Sequence, residues 1–124
     1  MRQTVFIVED SEGDATPLEV ALQGIIGLRV QLFSNAREAL TVLGSTPDQV
    51  AALVTDLNLP SMDGFELIQR IRSDQRYTTL PIIVVSGDTQ PDTLERLIRL
   101  GADAYFPKPY SPTEIRQKLE RLLK

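Results

Sequence analysis

The chain of 124 residues carries 17 Asp and Glu against 13 Lys and Arg, a formal net charge of −4, and contains no His and no Cys. At this length one core of ordinary composition, 42% apolar and 24% charged, buries roughly two-thirds of the surface of the unfolded chain, so residues 1–124 are expected to form a single domain. The absent residues exclude a disulfide framework, a thiol nucleophile, thiolate or imidazole zinc and a histidine base, which leaves oxygen as the only donor for a metal.

Short β-branched runs alternate with stretches of helical spacing along the whole chain, which reads as five βα units. The first strand, Thr4 to Val8, is continuous in Val5-Phe6-Ile7-Val8, as expected of a central parallel strand covered on both faces. Helix 1 stripes Leu18, Ala21, Leu22 and Ile25; it starts either at the capping box Thr16-Pro17-Leu18-Glu19 or a turn earlier, at Glu12. Strand 2, Arg29 to Phe33, alternates and reads as an edge, and helix 2 sets Ala36, Ala39, Leu40 and Leu43 on one stripe before Gly44. Strand 3, Ala51 to Asp56, ends in the loop Leu57-Asn58-Leu59-Pro60-Ser61-Met62-Asp63-Gly64, and helix 3 follows, carrying Phe65, Ile68 and Ile71. Strand 4 is Ile82 to Val85; helix 4, Pro91 to Leu100, is expected to turn Leu94, Leu97 and Ile98 inward and to end at Gly101 as its C′ residue. Strand 5, Ala104 to Phe106, meets Pro107, whose missing N–H places it at a sheet edge. Helix 5 opens on the capping box Ser111-Pro112-Thr113-Glu114 and buries Ile115, Leu119, Leu122 and Leu123. Val42 and Leu67 read as exposed apolar residues.

Five such units imply an α/β fold, a five-stranded parallel sheet wound doubly by right-handed crossovers, with the functional site outside the carboxyl ends of the strands. Those ends carry Glu9-Asp10, Asp56, Ser86-Gly87 and Lys108. Two carboxylates about 4 Å apart repel by about 4 kcal/mol at an effective dielectric of 20, so three in one pocket call for protons or a cation. Among hard cations, Mg2+ suits a partly open site with few carboxylates better than Ca2+. A cation, an ammonium and a hydroxyl around a central carboxylate are the equipment of phosphoryl transfer, with Asp56 as candidate nucleophile. The interspersed charges give no basic stripe for nucleic acid, the apolar runs are too short to span a membrane, and Met1-Arg2-Gln3 leads into a strand, so a cytoplasmic location is expected.

In order along the chain, Val8-Glu9-Asp10-Ser11, Thr55-Asp56-Leu57-Asn58-Leu59-Pro60-Ser61-Met62-Asp63-Gly64, Val85-Ser86-Gly87 and Gly101-Ala102-Asp103-Ala104-Tyr105-Phe106-Pro107-Lys108-Pro109 resemble the receiver domain of bacterial two-component response regulators. The resemblance covers the whole chain and implies a flavodoxin-like (βα)5 sheet of strand order 2-1-3-4-5. It further implies that Asp56 accepts a phosphoryl group from a phosphohistidine of a sensor histidine kinase or histidine phosphotransfer protein. Asp10 and Asp56 would bind Mg2+ directly, Glu9 through water, and the backbone carbonyl of Asn58 would complete the protein ligands. Lys108 would pair with one phosphate oxygen and Ser86 would swing to another. Tyr105 would then turn inward, coupling the site to the face of helix 4, strand 5 and helix 5, which would control a downstream effector or fused output domain, or form a phosphorylation-dependent dimer. Lys108-Pro109 matches the family's cis peptide and Gly64 its structural glycine. Asn58 and Asp88 are expected to border the phosphate and to tune its hydrolysis. Glu9 and Ser86 stand where many relatives have Asp and Thr, substitutions that keep the chemistry.

Taken singly, each piece has a plain alternative: a solvated acidic pair, a surface lysine, an ordinary βα turn, a half-buried edge tyrosine, or Asp63 as an N-cap. Other classes fit less well. An Asp-nucleophile phosphatase needs a general acid two residues on, where Asn58 stands; a flavin module needs a phosphate loop in place of Glu9-Asp10-Ser11-Glu12; and a nucleotide hydrolase needs a Gly-rich loop ending in Lys-Ser or Lys-Thr. The remaining alternative is a receiver-like interaction module that works without phosphorylation.

Overall fold

Continuous Val and Ile runs form the inner strands because side chains alternating to opposite faces are all covered in a parallel sheet wound on both sides. The computed structural model describes residues 4–45, 49–88 and 90–123; Met1-Arg2-Gln3 and Lys124 lie outside the described residues. Its elements are β1 (Thr4–Val8), α1 (Glu12–Gln23), β2 (Arg29–Phe33), α2 (Ala36–Ser45), β3 (Val50–Asp56), α3 (Gly64–Ser73), a 3-10 turn (Gln75–Tyr77), β4 (Ile82–Ser86), α4 (Pro91–Leu100), β5 (Ala104–Pro107) and α5 (Pro112–Leu122). All strand pairs are parallel and the order is β2-β1-β3-β4-β5, as expected.

The strand alternation splits the core in two. Phe6, Val8, Leu53, Ile82 and Val84 pack with α2, α3 and Leu97 of α4, whereas Val5, Ile7, Val54, Ile83 and Val85 pack with Leu18 and Leu22 of α1 and Ile115 and Leu119 of α5. Extended to the strand ends, the same alternation sets Asp56 and Lys108 on the side of α1 and α5, and Ser86 and Tyr105 on the side of α4.

The structure takes the earlier of the two helix 1 starts: Ser11 is the N-cap, α1 begins at Glu12, and Pro17 lies inside the helix. Burial of Ala15 beside Leu18 and Leu22 outweighs the backbone hydrogen bond that a proline cannot donate. Three expectations about apolar faces are corrected. In α4 only Thr93 and Leu97 are buried, while Leu94 and Ile98 stay 48% and 63% exposed. Leu67 is fully buried between α3 and the sheet, and Val42 is half-buried against the same core. Ile25 packs on the core from beyond the end of α1.

Caps hold the helix ends that frame the site. Asp63 accepts from the Glu66 N–H at 2.9 Å at the start of α3, and Ser111 from the Glu114 N–H at 3.4 Å at the start of α5. Gly101, at φ 97°, ends α4 in the left-handed conformation. At the opposite end of the sheet the Arg72 guanidinium donates to the carbonyls of Gly101 (2.7 and 3.1 Å) and Tyr77 (2.7 Å) and to Asp103 (3.2 Å), fastening α3 to the end of α4.

Candidate functional site

Each acidic side chain of the site is placed by the end of a strand. Glu9 follows β1 and Asp56 closes β3; both are buried, while the neighbouring Asp10 is exposed. One carboxylate oxygen from each of Glu9, Asp10 and Asp56 lies within 4.8 Å of the others, a set that can hold a metal ion. The Asp56 carboxylate is fixed from both sides: its Oδ1 accepts from the Asn58 N–H at 3.1 Å, and its Oδ2 from the Lys108 Nζ at 2.5 Å. Lys108 also reaches Glu9 Oε2 at 3.2 Å and Asp14 Oδ2 at 3.1 Å, so its ammonium meets three carboxylates.

The loop after β3 depends on close backbone approach. The Gly64 N–H donates to the Leu57 carbonyl at 2.8 Å. A Cβ on Gly64 would lie 2.5 Å from the Asp56 carbonyl oxygen and 2.7 Å from the Leu57 Cα. Ser61 takes φ 69° at the turn of this loop.

The electrostatics follow from burial and crowding. Burial, then the Asp56 charge and a hydrogen bond shared with Asp56, push the Glu9 carboxyl from 4.5 up to about 7, against the Ser11 N–H and Lys108. Burial pulls the Lys108 ammonium down, but the hydrogen bonds to Asp56 and Asp14 and the charges of Asp56 and Glu9 outweigh it and hold the group above the usual lysine range. The Tyr110 hydroxyl is pushed up to about 12 by burial and by the charges of Glu9 and Asp14.

On the α4 side, Ser86 is fully buried at the end of β4, and its Oγ accepts from the Asp88 N–H at 3.0 Å. The Tyr105 hydroxyl donates to the Asp88 carbonyl at 2.7 Å, and the Asp88 side chain accepts from the Gln90 N–H at 2.8 Å, just before α4. Asp88 thereby links Ser86, Tyr105 and the start of α4. The Lys108-Pro109 peptide bond is cis.

The structure thus gathers Glu9, Asp10, Asp56 and Lys108 into one cluster beside Asn58, with Ser86, Asp88 and Tyr105 as a second, hydrogen-bonded group. Asp14 and Tyr110, whose hydroxyl donates to the Asp14 carbonyl at 3.4 Å, are site neighbours that the sequence reading did not name. The available signal was the earlier helix 1 start, which sets Asp14 in the first turn facing the strand ends.

A family model described as the response regulator receiver domain matches residues 5–120. The chain belongs to the response regulator receiver family. It is 28% identical over 119 residues to the two-component response regulator ORR11 of Oryza sativa subsp. indica, covering 96% of this chain and 80% of that protein. It is 35% identical over 123 residues to the DNA-binding transcriptional regulator NtrC of Salmonella typhimurium, covering 98% of this chain and 25% of that protein. Among solved structures, the chemotaxis response regulator CheY4 of Vibrio cholerae superimposes with a TM-score of 0.84 at 27% identity, over 99% of this chain and 100% of that one. The flavodoxin-like receiver fold is therefore established, and a receiver is a signalling domain of two-component systems, consistent with control by phosphorylation. No described helix is long and apolar enough to cross a membrane.

Proposed function

We propose that this receiver is a phosphorylation-controlled switch in which Asp56 takes a phosphoryl group from a phosphohistidine on a sensor histidine kinase or histidine phosphotransfer protein. The chain has no His, so the donor imidazole lies outside these 124 residues. The observation that carries the reading is the meeting of Glu9, Asp10 and Asp56 with the Lys108 ammonium at the strand ends of a receiver fold. An Asp56 carboxylate oxygen forms the new P–O bond as the P–N bond breaks, and the leaving imidazole keeps the electron pair and ends protonated. Lys108, already on Asp56 Oδ2, is placed to pair with a phosphoryl oxygen, and Ser86 to donate its O–H to another. Because Asp88 joins Ser86 to both Tyr105 and Gln90, a swing of Ser86 loosens the start of α4 and frees Tyr105 to turn inward. Asn58 and Asp88 tune the rate at which the domain sheds its own phosphoryl group.

The all-oxygen donor set and a Glu9 carboxyl raised by burial and by the Asp56 charge fit a hard divalent cation, which Asp10, Asp56, the Asn58 carbonyl and, through water, Glu9 would hold. When bound, Mg2+ neutralises the charge that builds on the transferring group. Residues 1–124 act as one receiver domain in the cytoplasm. The output passes through α4, β5 and α5 to a downstream protein, a fused output domain or a second phosphorylated copy, without nucleic-acid contact by this chain.

Cation binding is expected to be pH-dependent. Glu9 binds its proton more tightly folded (about 7) than unfolded (4.5), so its contribution to stability is complete below about 4.5 and is lost as pH rises through about 7. A divalent cation takes the deprotonated form, so the half-saturating Mg2+ concentration is expected to be about tenfold higher at pH 6 than at pH 8. Calorimetric titration checks this; the difference should shrink in Glu9→Gln, and an unchanged affinity across that range contradicts it.

The switch is tested by amide NMR shifts with and without a small phosphodonor. Shifts are expected at the site, in the segment from Asp88 to Pro91, and along α4, β5 and α5. Shifts limited to the site would instead favour an interaction module that works without phosphorylation.

A further inference from the structure

Lys108 is more fully engaged than phosphate pairing alone requires. An ammonium has three N–H donors, and here each has a carboxylate: Asp56 at 2.5 Å, Asp14 at 3.1 Å and Glu9 at 3.2 Å. Asp14 stands apart from the other two. Glu9 and Asp56 belong, with Asp10, to the set of oxygens within 4.8 Å of one another, and Asp14 does not. Its contact with the acceptor runs through Lys108. It is fixed in place, because its N–H donates to the Ser11 carbonyl at 3.2 Å in the first turn of α1 and its carbonyl accepts from Tyr110. Its side chain is 46% exposed, against 4% for Glu9 and 5% for Asp56, so water replaces the ammonium there at least cost.

A phosphoryl group on Asp56 brings new acceptor oxygens and more negative charge to an ammonium with no spare donor, so one of its three partners must yield. We propose that Asp14 is a positioning residue that holds Lys108 against α1 while Asp56 is unphosphorylated and releases it when the phosphoryl group arrives. As a third carboxylate beside the acceptor, after Glu9 and Asp10, Asp14 also opposes the approach of an anionic donor. This second consequence rests on the phosphoacceptor reading above; the first does not.

Two measurements on the full chain separate them. Competitive acylation with acetic anhydride, read at Lys108 by peptide mass mapping with Lys118 as internal reference, needs no phosphorylation. Asp14→Asn is expected to raise Lys108 labelling about two- to fivefold, the range of a half-exposed ion pair, and Asp14→Glu to return it toward the parent value. Acetyl phosphate time courses followed by intact mass should then show an apparent KM for the donor lowered about two- to fivefold in Asp14→Asn, with the difference lost at high ionic strength. Unchanged Lys108 labelling in Asp14→Asn overturns the proposal, as does an effect that Asp14→Glu fails to reverse. If the parent chain takes no phosphoryl group, the phosphoacceptor reading falls, and the acylation ratio still decides whether Asp14 holds Lys108.

Discussion

Gly64→Ala is expected to destabilise the domain by about 3 kcal/mol, the upper part of the range for overpacking a tight site. The added Cβ would meet the Asp56 carbonyl oxygen at 2.5 Å and the Leu57 Cα at 2.7 Å. Both are backbone atoms, so no rotamer change relieves the contact; the first turn of α3 or the end of β3 must move. Movement of α3 strains the hydrogen bond from the Gly64 N–H to the Leu57 carbonyl, and movement of β3 shifts Asp56, the proposed acceptor. The loss should therefore appear in both stability and phosphorylation. Gly44→Ala is the matching control: it lies in α2 with nothing within 4 Å of the new Cβ, and helix propensity makes it neutral or stabilising by about 0.5–1 kcal/mol. Urea denaturation of the two variants checks the pair. Equal midpoints would mean that the loop after β3 is looser than the close approach at Gly64 implies.

Lys108→Ala is expected to act in opposite directions on the two properties of the site. Phosphorylation of Asp56 should fall by about a hundredfold or more, the usual effect of removing one preorganised donor from a transferring or oxyanionic group. Affinity for a divalent cation should rise by about tenfold, because the ammonium competes for Glu9 and Asp56, and a unit charge about 4 Å away counts for about 4 kcal/mol at an effective dielectric of 20, of which solvent leaves a fraction. Cation titration and intact-mass time courses on the same preparation measure both. A purely structural lysine would lower both together, so tighter cation binding with slower phosphorylation distinguishes the site role.

The strand ends were legible in the sequence because a β-branched run stops abruptly where polar chemistry begins. Val8 to Glu9, Thr55 to Asp56 and Val85 to Ser86 each mark such a boundary, and a parallel sheet brings those boundaries to one edge. The exposed face of α4 was less legible. Leu94 and Ile98 repeat at helical spacing beside Leu97, but periodicity gives a stripe without saying how much of it another element covers; the sheet takes Leu97 and leaves the flanking pair in solvent. Leu67 shows the converse, an apolar residue off the expected stripe that lies over the core. Asp14 was hidden by the ambiguous start of helix 1: a first turn at Thr16 leaves it in a loop, whereas a start at Glu12 brings it to Lys108, 94 residues away in sequence. Long-range ion pairs of that kind leave no local pattern. The links through Asp88 were equally invisible, since two of the three use its backbone.

Intact-mass spectrometry after incubation with acetyl phosphate, with and without Mg2+, beside an Asp56→Asn control, tests the central claim most directly. A single phosphoryl adduct that requires Mg2+ and is lost in Asp56→Asn is the predicted result. No adduct under any condition, or an adduct that persists in Asp56→Asn, would contradict the assignment of Asp56 as the phosphoacceptor.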